Sequence, residues 1–469
     1  MKTQSFEQRH SRLTTVFCIA VTALLLLSLL PMFSIARYDL PLGDDVIYGG
    51  PVSQALEQDG SFSSAIFAAA GVVREKYDSW QGTFSAIFLM ALQPGVFGLS
   101  YHRITPFIML GSLIAGTLLL THVLLRSVLG LSRRVWLLLA AAISFFSIQL
   151  CVSPREGFFW YNGAVYYTFF HSLMLVLAAI AIRLFSIRRA WMRAVLAVLG
   201  LVLCAVLSGG NYATAMVCFE LLVCAIAYSV YKKEYRLLIA FALMLAVFGA
   251  GMALSVAAPG NAVRQADVVA SGYVPSGPVK AILLSLALGG VMAIGWFDIA
   301  CVVIIALVAL FVGPALRKTE WRFRYPLLVV AFFFCVFASQ FTPSVYAATS
   351  PGPYRLRNAA YFVYLLLVAL SAAYVTGWAQ RRFAPDEAKR PAAVLRWLAT
   401  YPALALLCLG ALFGASLCKR DFFATPTVLA VTEQMDGTAA GHAAARERLL
   451  TGETQGTDGA PAPESKLLS

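Results

Sequence analysis

The sequence predicts an all-α, polytopic transmembrane helix bundle of about eleven spans. Three observations carry that prediction. The 469 residues are 60% hydrophobic and only 13% charged, whereas a soluble domain carries about a quarter charged residues. Many separate runs approach or exceed the roughly 20 apolar residues that cross a bilayer core. Lys and Arg fall in short clusters between those runs, as they do where charge sets membrane orientation. A transmembrane β-barrel is excluded, because its strands alternate polar and apolar residues over short segments. The net charge of +13 invites a nucleic-acid partner; its confinement to inter-span clusters argues against one.

The first apolar run, residues 13–35, follows Lys2, Arg9 and Arg12. It is too long for a signal-peptide core and lacks a small-x-small cleavage site, so it reads as an uncleaved span. A polar loop, 36–103, follows. Within it, the apolar stretches 61–73 and 83–96 are too short to span and read as interfacial helices. Further spans are expected at 104–125, 135–153, 163–184, 194–208, 212–231, 237–258, 296–316, 325–342, 359–379 and 398–418. The run 280–316 exceeds one straight span, so a break at Gly289-Gly290 and Gly295 is expected, leaving a surface piece and a span. Residues 1–418 thus form one membrane module. Residues 419–469 form a short tail with a possible helix at 439–450 and a Gly/Thr/Pro-rich, disordered-type end.

Charge assigns the loops to sides. The N-terminus and the loops 126–134, 183–193, 232–236, 317–324 and 380–396 hold 22 Lys and Arg. The loops 36–103, 154–162, 209–211, 259–280 and 343–358 are longer in total and hold 9. The expectation is a multi-pass protein of the cytoplasmic (inner) membrane with a cytoplasmic N-terminus and an extracytoplasmic C-terminus. The nine cysteines lie mostly inside apolar runs and show no metal or disulfide spacing.

The extracytoplasmic loops carry the chemistry. Tyr38-Asp-Leu-Pro-Leu-Gly-Asp-Asp-Val-Ile-Tyr-Gly-Gly50 follows the first span and holds the adjacent carboxylates Asp44 and Asp45. One of them can act as general base, or the pair can bind a divalent cation; ordinary solvation is the plain alternative. The other loops place aromatic, amide and arginine residues at the mouths of spans: Trp80 and Gln81; Arg155, Glu156, Trp160 and Asn162; Asn211; Asn261 and Arg264; Tyr354, Arg355, Arg357 and Asn358. Sugar faces stack on aromatic rings, hydroxyls bond to amides, and guanidinium groups grip phosphate. The arginines also fit headgroup snorkelling, and Trp160 fits an aromatic belt. His102 and His171 read as structural. Asp298 reads as either an intramembrane carboxylate or a helix cap, and Glu220 as a group paired inside the bundle.

This layout resembles the GT-C class of membrane glycosyltransferases. There, an acidic motif opens the first outside loop, interfacial helices follow, and a return span comes next. More narrowly, the chain is similar to a group of bacterial multispanning proteins allied to that class, with an Asp-Asp element, a Trp-x-Gly-Arg-Phe-like element and a later Asn/Gly/Arg-rich loop. Gly43-Asp44-Asp45 fits the first; Trp80-Gln-Gly-Thr-Phe84 departs from the second, Thr83 standing where Arg is expected. The resemblance spans roughly residues 1–420 in layout. It implies inverting transfer of a sugar from a polyprenyl-phosphate donor to a cell-envelope glycan or lipid-linked acceptor. Asp44 or Asp45 would be the base, and Arg355, Arg357 and Arg264 would hold the donor phosphate. A divalent cation is possible but not required. Two other readings stay open: a polymerase- or ligase-like enzyme of O-antigen type, and a lipid-linked glycan transporter without catalysis.

Overall fold

A computed structural model describes residues 11–383. The expected final span at 398–418 and the tail lie outside the described residues. Among the described residues the chain is helical and contains no strand. Nine helices among the described residues are long and apolar enough to cross a membrane, or up to ten if one bent pair counts as a single span.

The order begins with α1, Ser11–Ala36. Four elements then build the first long loop: α2 Asp44–Asp59, α3 Phe62–Ser79, α4 Phe84–Ala91, and short 3-10 turns at Pro94–Phe97 and Leu99–Ile104. Next come α5 Thr105–Thr121, α6 Arg133–Gln149 and α7 Tyr161–Ser186. A rim of α8 Ala190–Ser208, α9 Tyr212–Lys232 and α10 Tyr235–Val256 follows. After the short α11 Gly260–Ala270 come α12 Pro278–Gly295 and α13 Ile299–Leu316. The bent pair α14 Pro326–Ser339 and α15 Thr342–Ala348, angled by 43°, precedes the long α16, Tyr354–Phe383.

α6 is the centre. Ser132 caps it, accepting from Val135 N at 3.3 Å. From Leu138 to Ile148 every residue is buried, and α1, α5, α13 and α16 all pack against it. A helix apolar on every side belongs inside a bundle. The rim differs: Val195, Val198, Leu199 and Val202 on α8, and Ile239, Leu243 and Leu254 on α10, remain exposed. Such an apolar surface suits lipid rather than water.

Two sequence expectations change here. The expected break at Gly289-Gly290 is absent, because α12 runs unbroken to Gly295. Gly289 serves packing instead: a Cβ there would lie 2.7 Å from Ala338 Cβ. The chain breaks at Gly295–Asp298, where Trp296 packs edge-on to Tyr361 at 5.4 Å and near Tyr364 at 6.0 Å. Those tyrosines sit roughly two to three turns into α16. Asp298 caps α13, accepting from Ala300 N at 2.9 Å, so the helix-cap reading holds. The surface piece is a candidate span in its own right. The interfacial stretches also shift: 61–73 lengthens to α3, and 83–96 divides into α4 and a 3-10 turn.

The loops gather as charge sorted them. At one end, Ala86 N donates to Gly209 O (3.1 Å), Gly82 N to Asn261 Oδ1 (3.2 Å), Ser276 N to Tyr346 O (2.9 Å) and Ser153 N to Asn358 Oδ1 (2.9 Å). At the other, Arg134 reaches Ser11 Oγ at 3.5 Å, and Arg193 approaches Glu234 at 3.8 Å. All five loops expected on one face therefore share one end of the bundle.

Candidate functional site

The site starts at the entry to α2. Gly43 takes φ +51°, a left-handed conformation that glycine adopts without strain. The turn sets Asp44 and Asp45 in the first turn of α2, where the helix dipole favours negative charge. The two acids then part. Asp44 is exposed. Asp45 is 0% exposed. Its Oδ1 accepts from Asn162 N at 2.9 Å and its Oδ2 from Leu42 N at 3.1 Å. Gln93 donates its amide to the Asp45 carbonyl, and His102 Nε2 lies 3.8 Å from Oδ2. Asp45 thus ties the start of α2 to the start of α7. Burial pushes its carboxyl up to about 7, against the opposing pull of those two N–H donors. Burial, then the charge of Asp45, pushes neighbouring Asp39 up to about 9.

Arginines and aromatics build the rest. Arg264, on α11, donates to Gln81 Oε1 and lies over the Trp80 ring at 5.6 Å. Gly260 makes this docking possible, since a Cβ there would stand 2.3 Å from Trp80 N. Arg355, on the first turn of α16, bonds Glu156 Oε2 at 3.1 Å through both its backbone N and Nη1. It also covers the Trp160 ring at 4.7 Å. Each arginine is held by one acceptor and one indole face, a cation–π arrangement that fixes guanidinium position.

Two tyrosines join these groups, and sequence reasoning passed over both. Tyr48 is buried and lies within electrostatic range of Asp44, Arg264 and Glu75, with Lys76 5.7 Å from its ring. Burial, then the charge of Asp44, pushes its hydroxyl upward. Tyr167 lies within electrostatic range of Arg355, Arg264 and Glu156. Arg264 thus bears on both tyrosines, while Asp44 bears on Tyr48 and Arg355 on Tyr167. The signal for Tyr48 was its spacing: four residues after Asp44, it falls on the same face of a helix.

The amides do other work. Asn211 caps α9, accepting from Thr214 N at 2.8 Å while its amide donates to Tyr166 O. Asn358 brackets the Ser153 backbone, accepting at 2.9 Å and donating at 2.7 Å. Asn261 accepts from Gly82 N and donates to Ser255 O at 2.8 Å. These three hold loops together, and their side chains are committed to backbone. Asn162 differs: it is 2% exposed, and neither side-chain atom has a partner. Arg357 donates to Gly352 O at 3.2 Å and covers Tyr354 at 4.4 Å, holding the turn before α16. Arg155 is exposed. His102 and His171 are both buried.

Among the described residues no three His, Cys, Asp or Glu side chains gather as a metal shell. Both Asp45 oxygens already accept backbone N–H groups. A divalent cation at Asp44 would take its remaining oxygen ligands from water or a bound ligand. Comparisons with family models, curated proteins and solved structures find no match.

Proposed function

We propose that the chain is a multi-pass membrane glycosyltransferase that moves a sugar from a polyprenyl-phosphate donor to a cell-envelope glycan or lipid-linked acceptor. The observation that carries this reading is a chain of neighbouring charges: the exposed Asp44 bears on Tyr48, Arg264 on both Tyr48 and Tyr167, and Arg355 on Tyr167, each arginine backed by a tryptophan. Asp44 takes the proton from the acceptor hydroxyl as its oxygen attacks the anomeric carbon. The sugar–phosphate bond breaks on the opposite face, which inverts the centre. The departing lipid phosphate keeps the bonding pair, and Arg264 and Arg355 stabilise its charge. Trp80 and Trp160 offer faces for sugar CH groups beside those cations. Asp45 is a positioning residue in this scheme. The site end faces the extracytoplasmic side of the inner membrane, and the basic end faces the cytoplasm.

The test is a transfer assay in membranes with a panel of radiolabelled polyprenyl-phosphate sugars. A labelled glycan is expected from the wild type. Asp44→Asn is expected to lower its formation roughly 10²–10⁴-fold, the usual scale of general-base loss. Full transfer by a correctly inserted Asp44→Asn protein would sink Asp44 as base. If transfer then failed in Arg264→Gln or Arg355→Gln, the polymerase-like reading would take its place. Substrate movement with no covalent product would favour the transporter.

A further inference from the structure

At the end of the bundle remote from Asp44, a cleft of about 350 Å³ is lined by Arg322, Phe323, Arg324, Tyr325, Trp378, Arg381 and Arg382. Four arginines and three aromatic residues line it, and no carboxylate stands among the described lining residues. Like charges gathered on one cleft repel, so a bound counter-anion would stabilise the arrangement. Orienting the protein needs basic residues at this end, but it does not need four of them to line one cleft.

The segment is also built rather than loose. Phe323 and Tyr325 take φ +44° and +54°, conformations costly for bulky residues and kept where surrounding structure enforces them. Phe323 is buried. Its ring meets Trp321 at 6.0 Å, Tyr374 at 5.3 Å and the Arg381 guanidinium at 5.8 Å. It also fills the space a Cβ on Gly377 would need, at 2.7 Å. Tyr374 donates its hydroxyl to Arg324 O at 2.7 Å, and Arg381 donates to Thr319 O. These contacts fix the backbone that carries Arg322 and Arg324, on either side of Phe323. Tyr325 and Trp321 remain exposed beside them, as amphipathic rings are at headgroup level.

We propose that this cleft binds a phosphate-bearing anion, with the headgroup of an anionic phospholipid as its occupant. Guanidinium pairs take phosphate oxygens bidentately, and the exposed rings cover the glycerol region. Nothing in this inference depends on the transfer reaction at the other end.

The test is native mass spectrometry of the full chain in detergent, titrated with phosphatidylglycerol or phosphatidylethanolamine. Wild type is expected to retain phosphatidylglycerol selectively. Retention is expected to fall about fivefold for each arginine removed, read in Arg322→Gln/Arg324→Gln and separately in Arg382→Gln. The matched control, Arg188→Gln/Arg189→Gln, removes two charges from another loop of the same end and is expected to leave retention unchanged. An equal fall in the control would reduce the effect to bulk charge and overturn the site. Inorganic diphosphate displacing the lipid supports phosphate as the recognised group. Diphosphate binding without any lipid retention would overturn the lipid assignment.

Discussion

Adjacent residues Asp44 and Asp45 have opposite surroundings, and that contrast yields the sharpest expectations. Asp45 uses both carboxylate oxygens on backbone donors. Asparagine can accept with one atom only, so Asp45→Asn sets an N–H against an N–H. It is expected to cost about 1–3 kcal/mol of stability, read as a lowered melting temperature, while Asp44→Asn melts as wild type does. Equal melting of the two variants would contradict this division. The pH dependence follows from the same burial. The folded-state carboxyls of Asp45 and Asp39 are raised to about 7 and about 9, above the unfolded value near 4. The unfolded chain therefore releases these protons first as pH rises. Stability is greatest below about pH 4, declines from there to about 7 as Asp45 is affected, and declines further to about 9 through Asp39. Melting followed from pH 5 to 9 checks the sign; a rise in stability over that range would contradict it. Asn211, Asn261 and Asn358 teach a different lesson. An amide beside a span mouth reads the same in sequence whether it binds a ligand or a backbone, because only tertiary structure says which donors surround it.

At the level of helices, α2 was the hidden element. Gly49, Gly50 and Pro51 lie inside it, and local propensity opposes a helix there. Packing overrides that preference: a Cβ at Gly49 would come within 2.5 Å of Gln93 Nε2. Without α2, the alignment of Asp44 with Tyr48 could not be read, and so neither could the neighbourhood they share with Arg264. The break between α12 and α13 falls where Gly295 suggested and not at Gly289-Gly290, since a glycine pair inside an apolar run can mark either a kink or a close contact. The docking of α11 on the Trp80 loop depends on one such contact. Gly260→Ala is expected to push Arg264 away from Gln81 and Trp80, with an overpacking cost of about 1–3 kcal/mol. Limited proteolysis should then cut near Trp80 while the bundle helices remain protected. Unchanged cleavage would show that the contact does not hold the loop.

Across the molecule, composition and the alternation of charged loops made the membrane class and the grouping of five loops legible. Both depend on bulk solvent preference rather than on side-chain geometry. The same reasoning gives a test of sidedness. Cysteines introduced as Asp59→Cys and Asp267→Cys, both exposed at the Asp44 end, are expected to react with an impermeant maleimide on intact cells. Lys233→Cys, exposed at the basic end, is expected to react only after permeabilisation. The reverse pattern would invert the orientation. One dimension of the bundle bears on how lipid would meet its interior. The central helix α6 has 17 residues, about 26 Å of helix, less than the roughly 30 Å thickness of a bilayer's hydrocarbon core. Taller neighbours screen it, so the mismatch need not deform the surrounding lipid. At least one end of α6 then stops short of headgroup height. On the glycosyltransferase reading proposed above, such a recess would let a polyprenyl phosphate arrive sideways with its tail still in oil.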